Sequence, residues 1–293
     1  MKKFLLVIIT LFCLSACSKN TSVKPTNLDG ISVITPNSGI PAQVKYNDGY
    51  EENIPDDYIM LFINGSIIKH EGIFIENDIP FIPLKAICDH IFEETSFTVE
   101  GEKYVIKFEK NKIEIYENEK NVKVDGENYL LENLPKTINN TLFIGMNDIS
   151  KILKLKALYY DNSNDEDVHI IKNIPQIMIS KYPENAKEIS NDEAVEILKS
   201  QIKKAFEKKF GEFVPLNEAP DGKVYEIEDK DRLRYLITNL EIKSENDRFY
   251  VLSVVHDFFV DKYTGEVYVY YNGIPATINK FDPESESALS FPG

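Results

Sequence analysis

The chain opens with a continuous apolar run, Phe4 to Leu14, behind two lysines, Lys2 and Lys3. From residue 18 to 57 the apolar positions scatter among Ser, Thr, Asn, Gly and acids. Pro25, Pro36, Pro41 and Pro55 interrupt any regular element there, so the pattern predicts a flexible tether. Forty coil residues would reach about 30–40 Å root-mean-square. From Tyr58 the pattern changes to short β-prone runs. Tyr58 to Ile63 ends in Asn64-Gly65, a tight-turn signal, and Ile67-Ile68 continues a hairpin. Ile79 to Leu84 leads into a helix through Ile91, with Pro83 near its start, where proline is tolerated. Phe97 to Val99 and Tyr104 to Phe108 form another hairpin around Gly101, and Lys112 to Tyr116 alternates like a half-buried strand.

This order then recurs. Val122 to Gly126 matches the strand that ends in Asn64-Gly65. Leu142 to Met146 matches Pro80 to Leu84, and a helix from Asn147 to Leu153 follows. Ala157 to Tyr160 and Val168 to Ile171 are predicted to pair as a closing hairpin. The offset is about 61 to 64 residues throughout, which predicts two related strand–strand–helix–strand–strand units over residues 58–172.

After a stretch read as a linker, 173–188, with Pro175 and Pro183, helical spacing takes over. Ser190 and Glu193 form a capping box. Ala194, Val195, Leu198, Ile202, Ala205, Phe206 and Phe210 share one face, and Gly211 is placed to end the helix. Strands are predicted at Val224–Ile227, Tyr235–Ile242, Phe249–Val260 and Val267–Tyr271, with a Gly265 turn between the last two. Residues 189–275 therefore read as a helix plus antiparallel meander, and 276–293 as a loose tail. The fold class is α+β, with two antiparallel-sheet-plus-helix domains.

The leader refines the first picture. Eleven apolar residues are too few to span a bilayer as a helix but suit the core of an export signal. Leu14-Ser15-Ala16-Cys17 resembles the lipobox of bacterial lipoproteins. The resemblance implies cleavage after residue 16 and acylation of Cys17, so a bilayer becomes a partner and the chain is held at the extracytoplasmic face. Cys13 leaves with residues 1–16, so Cys88 is the one thiol left, and its apolar helical surroundings predict a buried, inert side chain.

Composition narrows the function. With 33 Lys and Arg against 48 Asp and Glu, the formal charge is −15, which argues against nucleic acid as a partner. No nucleophile elbow, phosphate loop or dinucleotide fingerprint is present, and no catalytic residue is assigned. His70, His90, His169 and His256 fall in no metal-ligand spacing, so neither metal nor cofactor is predicted. The stretch Asp161 to Asp167 lacks the glycine and final glutamate of a calcium loop and reads as a solvated turn. Tyr159, Tyr160, Tyr268 and Tyr270 are candidate binding residues. Exposed aromatic faces stack on sugars or peptides, although core packing accounts equally for one face of each strand.

Residues 59–172 resemble the copper amine oxidase N-terminal-like domain. The resemblance rests on Phe62-Ile63-Asn64-Gly65 and Ile82-Pro83-Leu84-Lys85, with Lys85 where that family has Arg, and with Gly145-Met146-Asn147 in the second unit. It implies an antiparallel sheet with packed helices and a non-catalytic surface role. The C-terminal half is similar to PepSY-type domains through Ile189 to Ala194 and Val260 to Val267, which implies modulation of secreted peptidases as an alternative. Together these features predict a non-enzymatic surface lipoprotein that binds an envelope protein or peptidoglycan.

Overall fold

The computed structural model describes residues 28–34, 42–46, 48–55, 57–161, 170–171, 174–182, 186–219, 230–285 and 288–289. The first departure from the sequence reading lies in the supposed tether. From Leu28 onward that segment forms β1 (Ile31–Ile34), β2 (Gln43–Lys45) and β3 (Glu51–Asn53). Ile31, Val33, Val44 and Tyr46 alternate with polar residues and are all buried. That period of two is a strand signal, and the prolines fall between the strands rather than within them.

The middle of the chain follows the predicted order closely. β4 (Met60–Ile63) and β5 (Ser66–Ile68) join at Asn64 and Gly65, whose φ angles of 48° and 77° suit a tight hairpin. Next come β6 (Phe74–Glu76), β7 (Ile79–Pro83) and α1 (Leu84–Ile91). β8 (Ser96–Glu100), β9 (Lys103–Phe108), β10 (Asn111–Tyr116), β11 (Asn121–Val124) and β12 (Glu127–Leu130) make a five-stranded antiparallel sheet. β13 (Lys136–Ile138), β14 (Thr141–Gly145) and α2 (Met146–Leu153) follow. β14 pairs with β7, completing a sheet ordered β13-β14-β7-β6.

β15 (Lys156–Tyr160) does not close on residues 168–171. Residues 168–169 lie outside the described residues, and Ile170 and Ile171 are buried outside any strand. Its partner is β16 (Gln176–Ser180), inside the expected linker. All five residues of β16 are buried, and the strand runs parallel to β4, pairing Ile177 with Leu61 and Ile179 with Ile63. The resulting sheet, β15-β16-β4-β5, is mixed rather than purely antiparallel. Two prolines suggested a linker, but the Gln-Ile-Met-Ile-Ser run between them has the continuous apolar character of a strand buried on both faces.

The last part begins with α3 (Asn191–Phe210). Its capping box is present: Glu193 N–H donates to Ser190 Oγ at 3.2 Å, and Ser190 N–H donates to Glu193 Oε2 at 2.7 Å. The stretch Tyr235–Ile242, read as one strand, is instead divided: Tyr235–Thr238 ends α4 (Lys230–Thr238), and a strand begins only at Ile242. Leu233 and Ile237, four apart, both bury beside α3, so a helical stripe wins over β-prone composition. Val224–Ile227 lies outside the described residues. β17 (Ile242–Glu245), β18 (Phe249–Ser253), β19 (Asp257–Asp261) and β20 (Val267–Tyr271) form the meander, with the run Phe249–Val260 split by a turn at 254–256. The expected tail contributes β21 (Ala276–Lys280), which pairs with β20 and with β1. One eight-stranded sheet thus runs β17-β18-β19-β20-β21-β1-β2-β3, so the expected tether and tail complete the sheet of the expected C-terminal domain. With four helices among the described residues and mixed sheets, the fold is α+β.

Three cores result. One lies among β4, β7, α1, the five-stranded sheet and α2. The second lies between β4–β16 and one face of the long sheet, and the third between the other face and α3–α4. A buried ion pair pins the long sheet: Arg248 Nε donates to Asp261 Oδ2 at 2.7 Å, with both side chains fully buried. Asp261 Oδ1 also accepts the backbone N–H groups of Tyr263 (2.8 Å) and Thr264 (3.0 Å), shaping the Gly265 turn. Asp261→Asn keeps a turn acceptor but removes the carboxylate charge paired with the Arg248 Nε–H. It is expected to lower stability by about 3–5 kcal/mol, read by equilibrium urea unfolding. Cys88 is 1% exposed, and burial pushes its thiol up to about 12. It should resist a thiol reagent at pH 8 in the native protein and react stoichiometrically in urea.

Candidate binding cleft

A cleft of about 950 Å³ opens beside α1. Its walls come from distant parts of the chain. The β2–β3 turn supplies Tyr46 and Tyr50, and the end of β5 with the following loop supplies Ile68, Lys69, His70 and Glu71. α1 contributes Lys85, Ala86, Asp89 and His90, β8 contributes Phe97 and Val99, and the β13–β14 turn closes the far end.

One wall is a hydrogen-bonded aromatic cluster. Tyr46 is buried, its hydroxyl donates to Glu52, and it lies 2.8 Å from the Tyr58 hydroxyl. The Tyr58 ring stacks on His70 with centroids 5.0 Å apart. Burial holds the Tyr46 hydroxyl far above the usual phenol range and pushes Tyr58 up to about 12, so both remain neutral donors. Gly72 N–H donates to His70 Nδ1 at 3.2 Å, which places the ring proton on Nε2, 2.8 Å from the Ile59 carbonyl. Burial lowers the affinity of this imidazole for a second proton. Lys69 sits 3.8 Å from the Tyr50 ring centre and pairs with Glu52 at 3.4 Å, so this wall is polar but internally balanced.

The opposite wall is more open. Lys85 pairs with Asp89 one helical turn on, and Thr95 Oγ1 donates to Asp89 at 2.9 Å. Among the described residues β8 is the last strand of its sheet and pairs with β9 alone, and Val99 on it is 56% exposed. β5 is likewise terminal in its own sheet. The cleft therefore lies between two terminal strands, with apolar side chains on the floor and fixed polar groups around it. Among the described residues no group of three His, Cys, Asp or Glu side chains is placed to hold a metal ion.

The candidate tyrosines do not converge. Tyr268 and Tyr270 do share a face, as their spacing required, but each is 2% exposed. They pack in the second core, Tyr268 edge-on to Phe249 and Tyr270 beside Phe259. β20 is an interior strand of the long sheet, so neither tyrosine presents a stacking surface. Tyr159 and Tyr160 are half-buried on opposite faces of β15, one against the first core and one against the second. Cys17, His169 and the stretch 162–167 lie outside the described residues. His256 is buried in the β18–β19 turn, edge-on to Tyr271. Of the residues weighed from sequence, Lys85, His70 and His90 line the cleft. Tyr46 and Tyr50, on the wall with His70, belong to the segment that reads as tether.

No curated protein matches the chain. No helix among the described residues is long and apolar enough to cross a membrane. Residues 62–169, which supply β4 to β15 and most of the cleft, match the family model of the copper amine oxidase N-terminal domain, a non-catalytic domain, so the family read from Asn64-Gly65 and Pro83-Leu84 is the one this segment matches.

Proposed function

We propose that this chain is a membrane-anchored lipoprotein of the extracytoplasmic face that binds an envelope protein, taking an extended polypeptide segment of it into the cleft. The leader and Leu14-Ser15-Ala16-Cys17 support the anchor, and the non-catalytic character of the matched domain supports binding rather than turnover. Two terminal strands beside an apolar floor favour a polypeptide over a wall polymer, because an extended peptide satisfies strand-edge N–H and C=O groups.

The observation that carries the reading is a difference between two related units. β4–β5, β6–β7 and α1 correspond to β11–β12, β13–β14 and α2. Positive φ recurs at Asn77-Asp78 and at Asn139-Asn140, and α1 and α2 stand 62 positions apart. The same offset carries Ile82 onto Ile144, and these two pair directly, with α1 against β14 and α2 against β7. That reciprocity supports an approximate two-fold axis through the Ile82–Ile144 pair. In the second unit the loop before β13 is tied to its helix. Asp148 is fully buried and accepts from Glu132 N–H at 2.7 Å and Asn133 N–H at 3.1 Å. The matching position in the first unit is Ala86, which has no side-chain acceptor to offer. His70 and Glu71, on the matching loop, and Ala86 on α1 line the cleft instead. The open site is what remains where one carboxylate is missing.

Metabolic labelling with an alkynyl fatty acid is expected to mark the wild-type chain and not Cys17→Ser, and equal labelling of both would overturn the anchor. A photoreactive residue at Val99 is expected to trap a protein on intact cells, and Ala86→Asp, by recruiting the loop onto α1, to remove most of that adduct. Sedimentation with purified sacculi and no protein adduct would replace the polypeptide by a wall polymer.

A further inference from the structure

In a chain of formal charge −15, the last turns of α3 are strongly basic. Between Lys199 and Phe210 stand five lysines and one glutamate. The inner face of this segment, Ile202, Ala205 and Phe206, is committed to the third core, which leaves Lys204, Lys208 and Lys209 exposed on the outside. Aromatic side chains underlie the cations. Lys203 Nζ lies 5.3 Å from the Phe213 ring centre and Lys209 Nζ 5.3 Å from that of Phe210. Lys230, from the start of α4, donates to the Phe210 carbonyl at 3.0 Å. Phe213 is half-buried and Val214 is 51% exposed at the same end. Part of the charge is met by Glu284, which pairs with Lys204 at 2.7 Å and Lys208 at 3.6 Å.

The position of this patch matters as much as its charge. The described chain begins at Leu28, and Gly30 N–H donates to the Ile278 carbonyl at 3.0 Å while Lys280 N–H donates to Asp29 Oδ1 at 2.7 Å. Glu284 lies four residues beyond Lys280, a span of at most about 14 Å. The N-terminal segment therefore departs close to the basic end of α3. Cys17 stands eleven positions before Leu28, at most about 40 Å of chain.

We propose that the C-terminal end of α3 is a membrane-contact surface. Lys203, Lys204, Lys208, Lys209 and Lys230 take the phosphates of anionic phospholipids, and Phe213 and Val214 rest at the headgroup boundary. The apolar component selects a bilayer over a phosphate-bearing wall polymer, which offers no hydrocarbon. The surface rests on the anchor reading for its biological setting, but its chemistry is testable without an acyl chain. Once anchored, the remaining negative surface is repelled by the leaflet, so the patch fixes which side of the protein faces the membrane.

The test uses residues 18–293, which include every described residue, with vesicles of phosphatidylcholine alone or mixed with phosphatidylglycerol. Cosedimentation is expected only with the anionic vesicles and should weaken with salt. Lys204→Glu with Lys208→Glu and Lys209→Glu is expected to lower apparent affinity by about tenfold or more. Glu284→Gln, which releases two lysines from their carboxylate, is expected to strengthen it, a gain that a misfolded variant would not give. Equal partition onto both vesicles, a charge-reversed variant that binds like wild type, or binding to sacculi in place of vesicles would overturn the proposal. Loss of Cys17 labelling with vesicle binding intact would remove the anchor and leave this surface standing.

Discussion

Neither face of the β4–β16 pair meets water, and most of the architecture follows from that. Leu61, Ile63, Ile177 and Ile179 point into the core shared with α1 and α2, while Met60, Phe62 and Met178 point into the core beneath the long sheet. A one-residue slip in either strand would exchange the two sets, so the parallel register is held by both cores at once. The polar ends of β16 are matched to this confinement. Gln176, fully buried, accepts Ile170 N–H at 2.9 Å and donates to the carbonyls of Ile171 and Ile174. At the other end, Lys181 N–H donates to Asn64 Oδ1 at 2.8 Å, fixing the strand to the β4–β5 turn. A buried amide in this position is stabilising only because its bonds are made.

A second set of contacts ties the matched domain to the rest of the chain. Tyr182, two residues beyond β16, donates to Asp247 Oδ2 at 3.1 Å, and Lys156 of β15 pairs with the same carboxylate. The Tyr182 ring stacks on Tyr263 at 4.1 Å, and the Arg248 guanidinium lies within 6 Å of both rings. Desolvated charge of this kind specifies an arrangement more than it adds stability, because each member is costly without its partner. It explains how residues 62–169 sit in a molecule larger than that domain without behaving as a bead on a string.

Local chemistry was legible in the sequence, and long-range pairing was not. The Asn64-Gly65 turn, the start of α1 at Pro83, the Ser190–Glu193 box and the stop at Gly211 are set by a few adjacent residues, and each lies where the sequence places it. β1, β16 and β21, which read as tether, linker and tail, each take one near neighbour, β2, β15 and β20, and one distant partner, 247, 116 and 247 positions away at Ile278, Met60 and Ile31. Short alternating segments between prolines gain strand identity only when such partners arrive. The same limit hid the cleft. Lys85 stands out in the sequence as a departure from a motif, but the wall opposite it is assembled from Tyr46, Tyr50 and His70 on segments that meet only in three dimensions.

The pairing of β1 with β21 has a consequence for how the chain comes to be folded. Ile31 lies opposite Ile278, so β1 gains one of its neighbours from a segment 247 positions further along the chain. Closing a loop of that length costs about 5 kcal/mol of chain entropy before any other contact contributes. A chain that emerges progressively cannot complete this sheet partway. β1 can meet β2 early, but its other edge stays open until β21 arrives, so the long sheet closes only after about 250 residues have been made.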